Sequence, residues 1–227
     1  MRQPSTSISH EPGRPRLYGR AKGRPLRAAQ QALMDEFYPQ IEIPADPISI
    51  APEHLWFEIG FGGGEHLVWQ AEQNPRIAIW GAEPFINGVA KVVSAISDKN
   101  LDNVRLYNGD GRIVMDGLAD QSLSRLFVLF PDPWPKNRHN KRRLITERFL
   151  EDAHRVLKPG SQFRFASDIT DYVDWTLTRL LKNGGYDWSP ISRKDWRSRP
   201  DEWPQTRYEA KAEREGRPCH YFEFIRL

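Results

Sequence analysis

The chain has 227 residues, enough for one sizeable domain with a buried core, and 39% of them are hydrophobic while 28% are charged. The single cysteine, Cys219, excludes an intrachain disulfide and a zinc site built from cysteines, and no two of the six histidines have metal-ligand spacing. No apolar run approaches the roughly 20 residues that cross a bilayer, and residues 1–30 lack the apolar core of a secretory signal. We therefore expect a cytoplasmic protein without metal or membrane contact, either monomer or homodimer.

Charge is unevenly distributed along the chain, whose net charge is +3. Residues 1–30 carry seven cations and one acid, a balance of +6, so the remaining residues sum to −3. This basic tail is rich in Pro, Gly and Arg, and we expect it to be disordered, with residues 31–227 forming one domain. Residues 136–143 (KNRHNKRR) hold five further cations and no acid. Two basic segments on an acidic body indicate a polyanionic partner.

From about residue 54, short β-rich runs alternate with amphipathic segments of helical length. The predicted strands are 54–60, 76–83, 103–110, 124–130, 162–168 and 220–227. The predicted helices are 65–73, 85–97, 144–157 and 170–182, and Pro159 with Gly160 ends the third of these. This alternation predicts right-handed βαβ units and an α/β fold with a parallel sheet covered on both faces.

Five of the predicted strands end at or near a carboxylate. These acids are Glu58, Glu83, Asp110, Asp132 and Asp168. Ligands of doubly wound sheets bind outside the carboxyl ends of the strands. Because five acids on one edge exceed what solubility requires, we expect a ligand site there.

The segment 60–64 joins the first of these strands to a helix. Gly60 and Gly62 allow tight turns and a close approach of backbone to ligand. The dinucleotide fingerprint is absent, since Glu65 takes the place of its third glycine, and so are the Lys and Ser/Thr of a phosphate-binding loop. Glu83 suits the two hydroxyls of a ribose, and Asp110 is placed to accept from an adenine amino group. Together these features favour adenosine without phosphates, which S-adenosylmethionine provides.

The fourth strand continues into FPDPWPK (130–136), whose three prolines restrict the backbone. A stiff loop at a strand tip holds the Asp132 carboxylate in place, and the cations up to Arg143 follow at once. The loop is therefore suited to present an acid to a base and cations to phosphates. Trp134 is expected either to stack on a base or to pack under the loop. Residues 206–209, judged by their residue types alone, have the character of a polar loop.

From about residue 54 to its end the chain resembles the bacterial tRNA (guanine-N7)-methyltransferases, which methylate a guanosine in the variable loop of tRNA. The motifs are EIGFGGGEHL (58–67), GAE (81–83), NGD (108–110), FPDPWPKNRHNKRR (130–143), SD (167–168) and TRYEAK (206–211). The resemblance implies a Rossmann-like class I methyltransferase fold, with a mostly parallel, doubly wound sheet and an antiparallel C-terminal strand. It also implies S-adenosylmethionine as cofactor and tRNA as partner.

The same resemblance implies roles for individual residues, with Asp132 as the catalytic one. The cofactor would be bound by Glu58, Gly60, Gly62, Glu83, Asp110 and Asp132. The substrate would be contacted by Lys136, Asp168, Thr206, Arg207, Tyr208 and Glu209. The RNA would be contacted by Arg138, His139, Asn140, Lys141, Arg142 and Arg143.

Three other functions compete with this prediction. The loop 131–134 also resembles the Asp-Pro-Pro-Tyr loop of enzymes that methylate exocyclic amino groups of bases, and the position of the methylated atom separates the two. A non-catalytic RNA-binding protein on this fold would have no reason to keep unpaired acids together at the strand tips. A nicotinamide oxidoreductase is disfavoured by the glycine spacing.

Overall fold

The computed structural model describes residues 17–19, 21–44 and 51–227, which form an α/β fold around a seven-stranded sheet. Its strands are β1 (Leu55–Ile59), β2 (Ala78–Ala82), β3 (Val104–Tyr107), β4 (Leu123–Leu129), β5 (Leu157–Ser167), β6 (Tyr186–Asp187) and β7 (His220–Arg226). They lie in the order β3-β2-β1-β4-β5-β7-β6. The first five pair in parallel, and β7 runs antiparallel to both neighbours. The predicted mostly parallel sheet with an antiparallel C-terminal strand is confirmed.

Helices cover both faces of this sheet. They are α1 (Ala28–Glu36), α2 (Tyr38–Ile41), α3 (Glu65–Gln73), α4 (Ile86–Lys99), α5 (Gly111–Gly117), α6 (Glu147–Val156), α7 (Thr170–Asn183), α8 (Lys194–Arg197) and α9 (Arg207–Arg214), with a 3-10 helix at Asn137–Arg142. The four predicted helices are confirmed within a few residues. Within the described ranges, no helix is long and apolar enough to cross a membrane.

Two helices beside the strand tips were not predicted, although each has a capping residue at its start. The Asp110 carboxylate accepts a hydrogen bond from the Arg112 backbone N–H at 3.0 Å and begins α5. The Thr206 hydroxyl accepts one from the Glu209 N–H at 3.2 Å and begins α9. The sequence Thr206-x-x-Glu209 is a helix-capping pattern, so the interpretation of 206–209 as a polar loop is wrong.

Two apolar layers hold the strand tips in place. On one face α3 and α4 pack against β2 and β3, in a buried cluster that includes Val93 and Ile79. On the other face α5, α6 and α7 pack against β4, β5 and β7, where Phe163 and Phe165 stack beside Phe224 and Phe222. Each such side chain, fully buried, contributes about 1.5–3 kcal/mol. Loops that leave this sheet therefore start from fixed points.

One boundary differs from the prediction, and another stays a prediction. Pro159 and Gly160 lie within β5 rather than in a loop, and the pairing with β4 shifts register beside them. The described residues before residue 30 pack on the domain: the Ile86 N–H donates to the Ala21 carbonyl at 3.1 Å, and Asn87 Nδ2 to the Arg24 carbonyl at 2.7 Å. The division of the chain at residue 30 stays a prediction, because residues 1–16 and 20 lie outside the described residues.

Candidate active site at the carboxyl edge of the sheet

A cavity of about 480 Å³ opens at the carboxyl ends of the parallel strands. Four strand tips contribute to its wall, through Gly60 after β1, Glu83 after β2, Asp110 after β3 and Asp132 after β4. Backbone hydrogen bonds tie neighbouring tips together: the Gly60 N–H donates to the Ala82 carbonyl at 2.8 Å, and the Glu83 N–H to the Tyr107 carbonyl at 3.0 Å. The cavity therefore lies at the sheet edge where the sequence predicts a ligand.

The glycine-rich loop brings bare backbone to the cavity. Gly60, Gly62 and Gly64 have φ values of +77°, +55° and +76°, which residues with a side chain rarely adopt. A Cβ added at Gly60, which lines the cavity, would meet no atom within 4 Å, so a side chain there would take up open space. A Cβ at Gly88 would come within 2.2 Å of the Gly62 carbonyl oxygen, which shows how closely α4 supports the loop.

Glu83 presents a buried carboxylate to this cavity and is only 8% exposed. Its two oxygens accept hydrogen bonds from the backbone N–H groups of Gly62 and Phe85, both at 2.8 Å. Burial raises the pKa of this carboxyl above its usual range, and the nearby Asp132 and Glu58 carboxylates raise it further, against the lowering effect of the two N–H groups. The carboxylate is thus fixed in position, and the remaining lone pairs of its oxygens are available to donors on a ligand.

Asp132 lies at the exposed mouth of the cavity, in a loop with an unusual backbone. Phe130 and Trp134 on either side have φ values of 50° and 45°, which are uncommon for residues other than glycine. The Phe130 N–H donates to the Ala166 carbonyl at 2.8 Å and continues the pairing of β4 with β5. Desolvation by the surrounding protein raises the pKa of the Asp132 carboxyl. No Lys or Arg of the described residues forms an ion pair with Asp132 or with Glu83.

Arg143 was predicted to contact RNA, but the structure buries it beneath this loop at 2% exposure. Its Nε donates to the Pro133 carbonyl at 2.8 Å, and its Nη2 pairs with the Asp171 carboxylate. The guanidinium also lies 5.0 Å from the ring centroids of both Tyr172 and Trp175. Because the guanidinium is buried among these protein partners, Arg143 attaches the Asp132 loop to α7. Its contact with RNA stays a prediction.

The other residues of the basic segment 136–143 lie on or beside the 3-10 helix. Its exposed cations are Lys136, Arg138 and Lys141. Arg142 lines the cavity, with its guanidinium 4.9 Å from the rings of both Tyr18 and Trp134. Trp134 also meets His139 edge to face at 6.0 Å, so this tryptophan packs against protein side chains. Partial desolvation and four of the five cations of the segment lower the pKa of His139.

Two of the predicted cofactor ligands have other partners. The buried Glu58 carboxylate pairs with His66 Nδ1 at 2.7 Å and does not belong to the cavity wall. Asp110 lines the cavity, but Arg112 Nη2 pairs with its carboxylate at 2.6 Å. His66, which the sequence analysis missed, further contacts Gln70 at 3.1 Å. Among the residues that the structure describes, no three His, Cys, Asp or Glu side chains are grouped to hold a metal ion.

The predicted substrate residues divide into two groups. Arg207 and Tyr208, at the start of α9, line the cavity, where Arg207 Nε donates to Glu65 at 2.8 Å and the Tyr208 ring lies against Gly62. The other four are not part of the cavity wall. Thr206 caps α9, Glu209 is buried and accepts from the Tyr221 hydroxyl at 2.5 Å, Asp168 pairs with Arg217 at 2.7 Å, and Lys136 is exposed.

Known proteins resemble this chain over most of its length. Residues 52–222 match a family described as "Putative methyltransferase". The chain is 45% identical to a tRNA (guanine-N(7)-)-methyltransferase of Ruegeria sp. (strain TM1040), across 98% of this chain and 93% of that protein. It is 46% identical to one of Rhodospirillum rubrum, across 93% and 88%. The fold is similar to the aminoglycoside resistance methyltransferase NpmB1, with a TM-score of 0.55 and 13% identity over 82% of this chain and 95% of that one. The chain belongs to the tRNA (guanine-N7)-methyltransferase family.

Proposed function

We propose that the protein transfers a methyl group from S-adenosylmethionine to N7 of a guanosine in the variable loop of tRNA. One observation carries this proposal. The carboxylates of Glu83 and Asp132 line one cavity, and neither has a cationic partner among the described residues. Around these two acids the cavity favours a ligand that brings hydroxyl donors and positive charge. The relatives named above, with 45% and 46% identity over nearly the whole chain, support the same reaction.

The residues present fit the cofactor. Glu83 would accept hydrogen bonds from the ribose hydroxyls, and the backbone at Gly60 and Gly62 would lie against the ligand without an intervening side chain. Asp110 would face the adenine, with its carboxylate held by Arg112. When bound, S-adenosylmethionine supplies a methyl group on a positively charged sulfur, which is already activated for transfer. The task left to the protein is chiefly alignment, which can supply about 7–11 kcal/mol of a barrier.

The target atom requires little acid–base chemistry. Guanine N7 has a lone pair and no proton in the neutral base, so no general base is required. Methylation there leaves positive charge on the imidazole ring of guanine. A fixed carboxylate at the cavity mouth stabilises this developing charge, and the effect grows as water is excluded. Asp132, which lines the cavity, would take this role or would accept hydrogen bonds from N1 and the amino group of guanine, whereas Asp168 lies outside the cavity wall and is paired with Arg217.

The test is a labelling experiment with unmodified tRNA. The protein is incubated with methyl-labelled S-adenosylmethionine and a tRNA transcript, and the product is digested to nucleosides. We expect the label in 7-methylguanosine, and none with a matched transcript that has adenosine at the variable-loop guanosine. Label in an N-methylated exocyclic amino group would instead support the alternative methyltransferase. Absence of transfer with measurable cofactor binding would contradict the substrate, and absence of cofactor binding would contradict the reaction.

The Glu83→Gln variant is expected to bind S-adenosylmethionine roughly 5- to 150-fold more weakly, the range that corresponds to about 1–3 kcal/mol for unsatisfied buried groups. The amide NH₂ of Gln would face the Gly62 or Phe85 N–H, where the carboxylate now accepts. Because the pKa of Glu83 is raised, wild-type affinity should fall on acidification at a pH above the usual carboxyl range, as the acceptor becomes protonated. Calorimetric titrations at a series of pH values measure both effects.

The control for this variant is Asp98→Asn. Asp98 is an exposed acid near the end of α4, at the amino ends of the parallel strands and away from the cavity. It removes the same charge and should leave both cofactor affinity and its pH dependence unchanged. If Glu83→Gln and wild type bind the cofactor equally well, or lose affinity over the same pH range, Glu83 is not the ribose acceptor.

A further inference from the structure

Residues 193–199 form a group of cations separate from the basic segment 136–143. The group consists of Arg193, Lys194, Arg197 and Arg199, with Asp195 as its one acid. Arg193, Lys194 and Arg199 are exposed and Arg197 is partly exposed. Among the ion pairs of the described residues, only Arg199 has a partner, Glu209 at 3.4 Å. The Arg197 Nε is buried without a hydrogen-bond partner in the described part of the chain.

The acid within this group is committed to the backbone. The Asp195 carboxylate accepts hydrogen bonds from the N–H groups of Ile191 and Ser192, at 2.7 and 2.8 Å, and from the Ser192 hydroxyl at 3.1 Å. These hydrogen bonds lower the pKa of Asp195, so it stays ionised and holds the turn before α8. It therefore orders the segment without forming an ion pair with the neighbouring cations.

An aromatic stack fixes α8 on the sheet. The Trp196 ring lies nearly parallel to the rings of His220 and Phe222 in β7, with centroid distances of 5.9 and 6.5 Å and interplanar angles of 13° and 11°. The Arg197 guanidinium covers the Trp196 ring, 4.6 Å from its centroid. The cations are thus carried on a docked element, which reduces the conformational entropy lost when they bind a partner.

This group lies at the same sheet edge as the candidate active site. His220 pairs with Ser167 at the carboxyl end of β5, next to the strand that leads into the Asp132 loop. One strand separates β4 from β7, so their tips are about 10 Å apart. Of the carboxylates on α7, Asp171 pairs with Arg143, and within the described residues Asp174 forms no ion pair with the cations of this group.

We propose that residues 193–199 form a second phosphate-binding surface for the RNA substrate, in addition to the one expected in the basic segment 136–143. The proposal rests on the proposed function, since it assumes that RNA approaches the carboxyl edge of the sheet. Exposed Arg and Lys side chains neutralise backbone phosphates irrespective of base sequence. This surface would therefore hold the tRNA in register over the cavity without selecting the methylated base.

The test is the salt dependence of tRNA binding by the double variant Arg193→Gln/Lys194→Gln, measured by fluorescence anisotropy with unmodified tRNA. Each lost phosphate contact should reduce the slope of log K against log salt by about 0.7–0.9, so the two together by about 1.4–1.8. Affinity near 0.1 M salt should fall on the order of tenfold or more. Cofactor affinity, and kcat at saturating tRNA, should stay as in the wild type.

The matched control is Arg76→Gln/Lys182→Gln, which removes two exposed cations at the amino ends of the parallel strands. Arg76 precedes β2, and Lys182 lies near the end of α7. It should leave the slope within error of wild type. An unchanged slope in the Arg193→Gln/Lys194→Gln variant, or an equal decrease in both double variants, would overturn the proposal. Because binding is measured without methyl transfer, failure of the proposed reaction is detected separately, as wild-type protein that binds tRNA but yields no 7-methylguanosine.

Discussion

Replacing Asp132 with Asn is expected to lower kcat by about 10²- to 10³-fold, the usual effect of removing one preorganised electrostatic group from an active site. Asn keeps the size of the side chain and one acceptor oxygen but not the negative charge. The Asp132 loop is held independently, by the Phe130 N–H on the Ala166 carbonyl and by Arg143 on the Pro133 carbonyl, so the variant should fold normally. Single-turnover rates at saturating tRNA and cofactor measure the loss, and calorimetry should show a far smaller change in cofactor affinity.

The pH dependence supplies an independent readout of the same residue. Desolvation raises the pKa of Asp132, so wild-type kcat should decline on acidification at a pH above the usual range of an Asp carboxyl, as the stabilising charge is lost. The variant has no such group and should lack this decline. Asp168→Asn is the matched comparison, since Asp168 lies outside the cavity wall and is paired with Arg217. A larger loss of kcat in Asp168→Asn would transfer the role to that residue, and equal losses of kcat and cofactor affinity would remove the catalytic role from Asp132.

The sequence predicts the location of the site better than the direction of individual side chains. The alternation of strands and helices fixes the carboxyl edge, because parallel strands end on one side, and the acids after β2, β3 and β4 do line the cavity there. The alternation of side chains along a strand does not show which residues a side chain near the end of that strand will contact. Glu58 turns to His66, eight residues along the chain, a pairing that depends on how α3 packs on β1.

The basic segment shows a second limit of the same kind. A run of five cations without an acid is typical of a solvated surface, yet Arg143 is buried while Arg138 remains exposed. What separates them is an aromatic pocket formed by Tyr172 and Trp175 of α7, which follows the basic segment only after α6 and β5. The helix starts at Asp110 and Thr206, by contrast, did carry local signals in their capping side chains that could have been used.

The substitution Arg143→Lys tests whether this buried arginine positions the Asp132 loop. Lysine keeps the positive charge but lacks the planar guanidinium group of arginine. It therefore cannot bond both the Pro133 carbonyl and the Asp171 carboxylate while lying near the aromatic rings of α7. We expect kcat to fall by about 10²-fold, because a displacement of about 1 Å in an active site costs that much. Cofactor affinity and the salt slope of tRNA binding should be unchanged.

Arg138→Lys is the matched control, since Arg138 is exposed on the 3-10 helix of the same segment. It should leave kcat unchanged. A phosphate contact tolerates lysine in place of arginine, because both neutralise one charge. If Arg143 touched RNA, Arg143→Lys would therefore behave like the control in kcat as well as in salt slope. A loss of kcat confined to Arg143→Lys, in protein whose thermal unfolding stays cooperative, would assign the residue to the loop. Equal behaviour of the two variants would support its predicted contact with RNA.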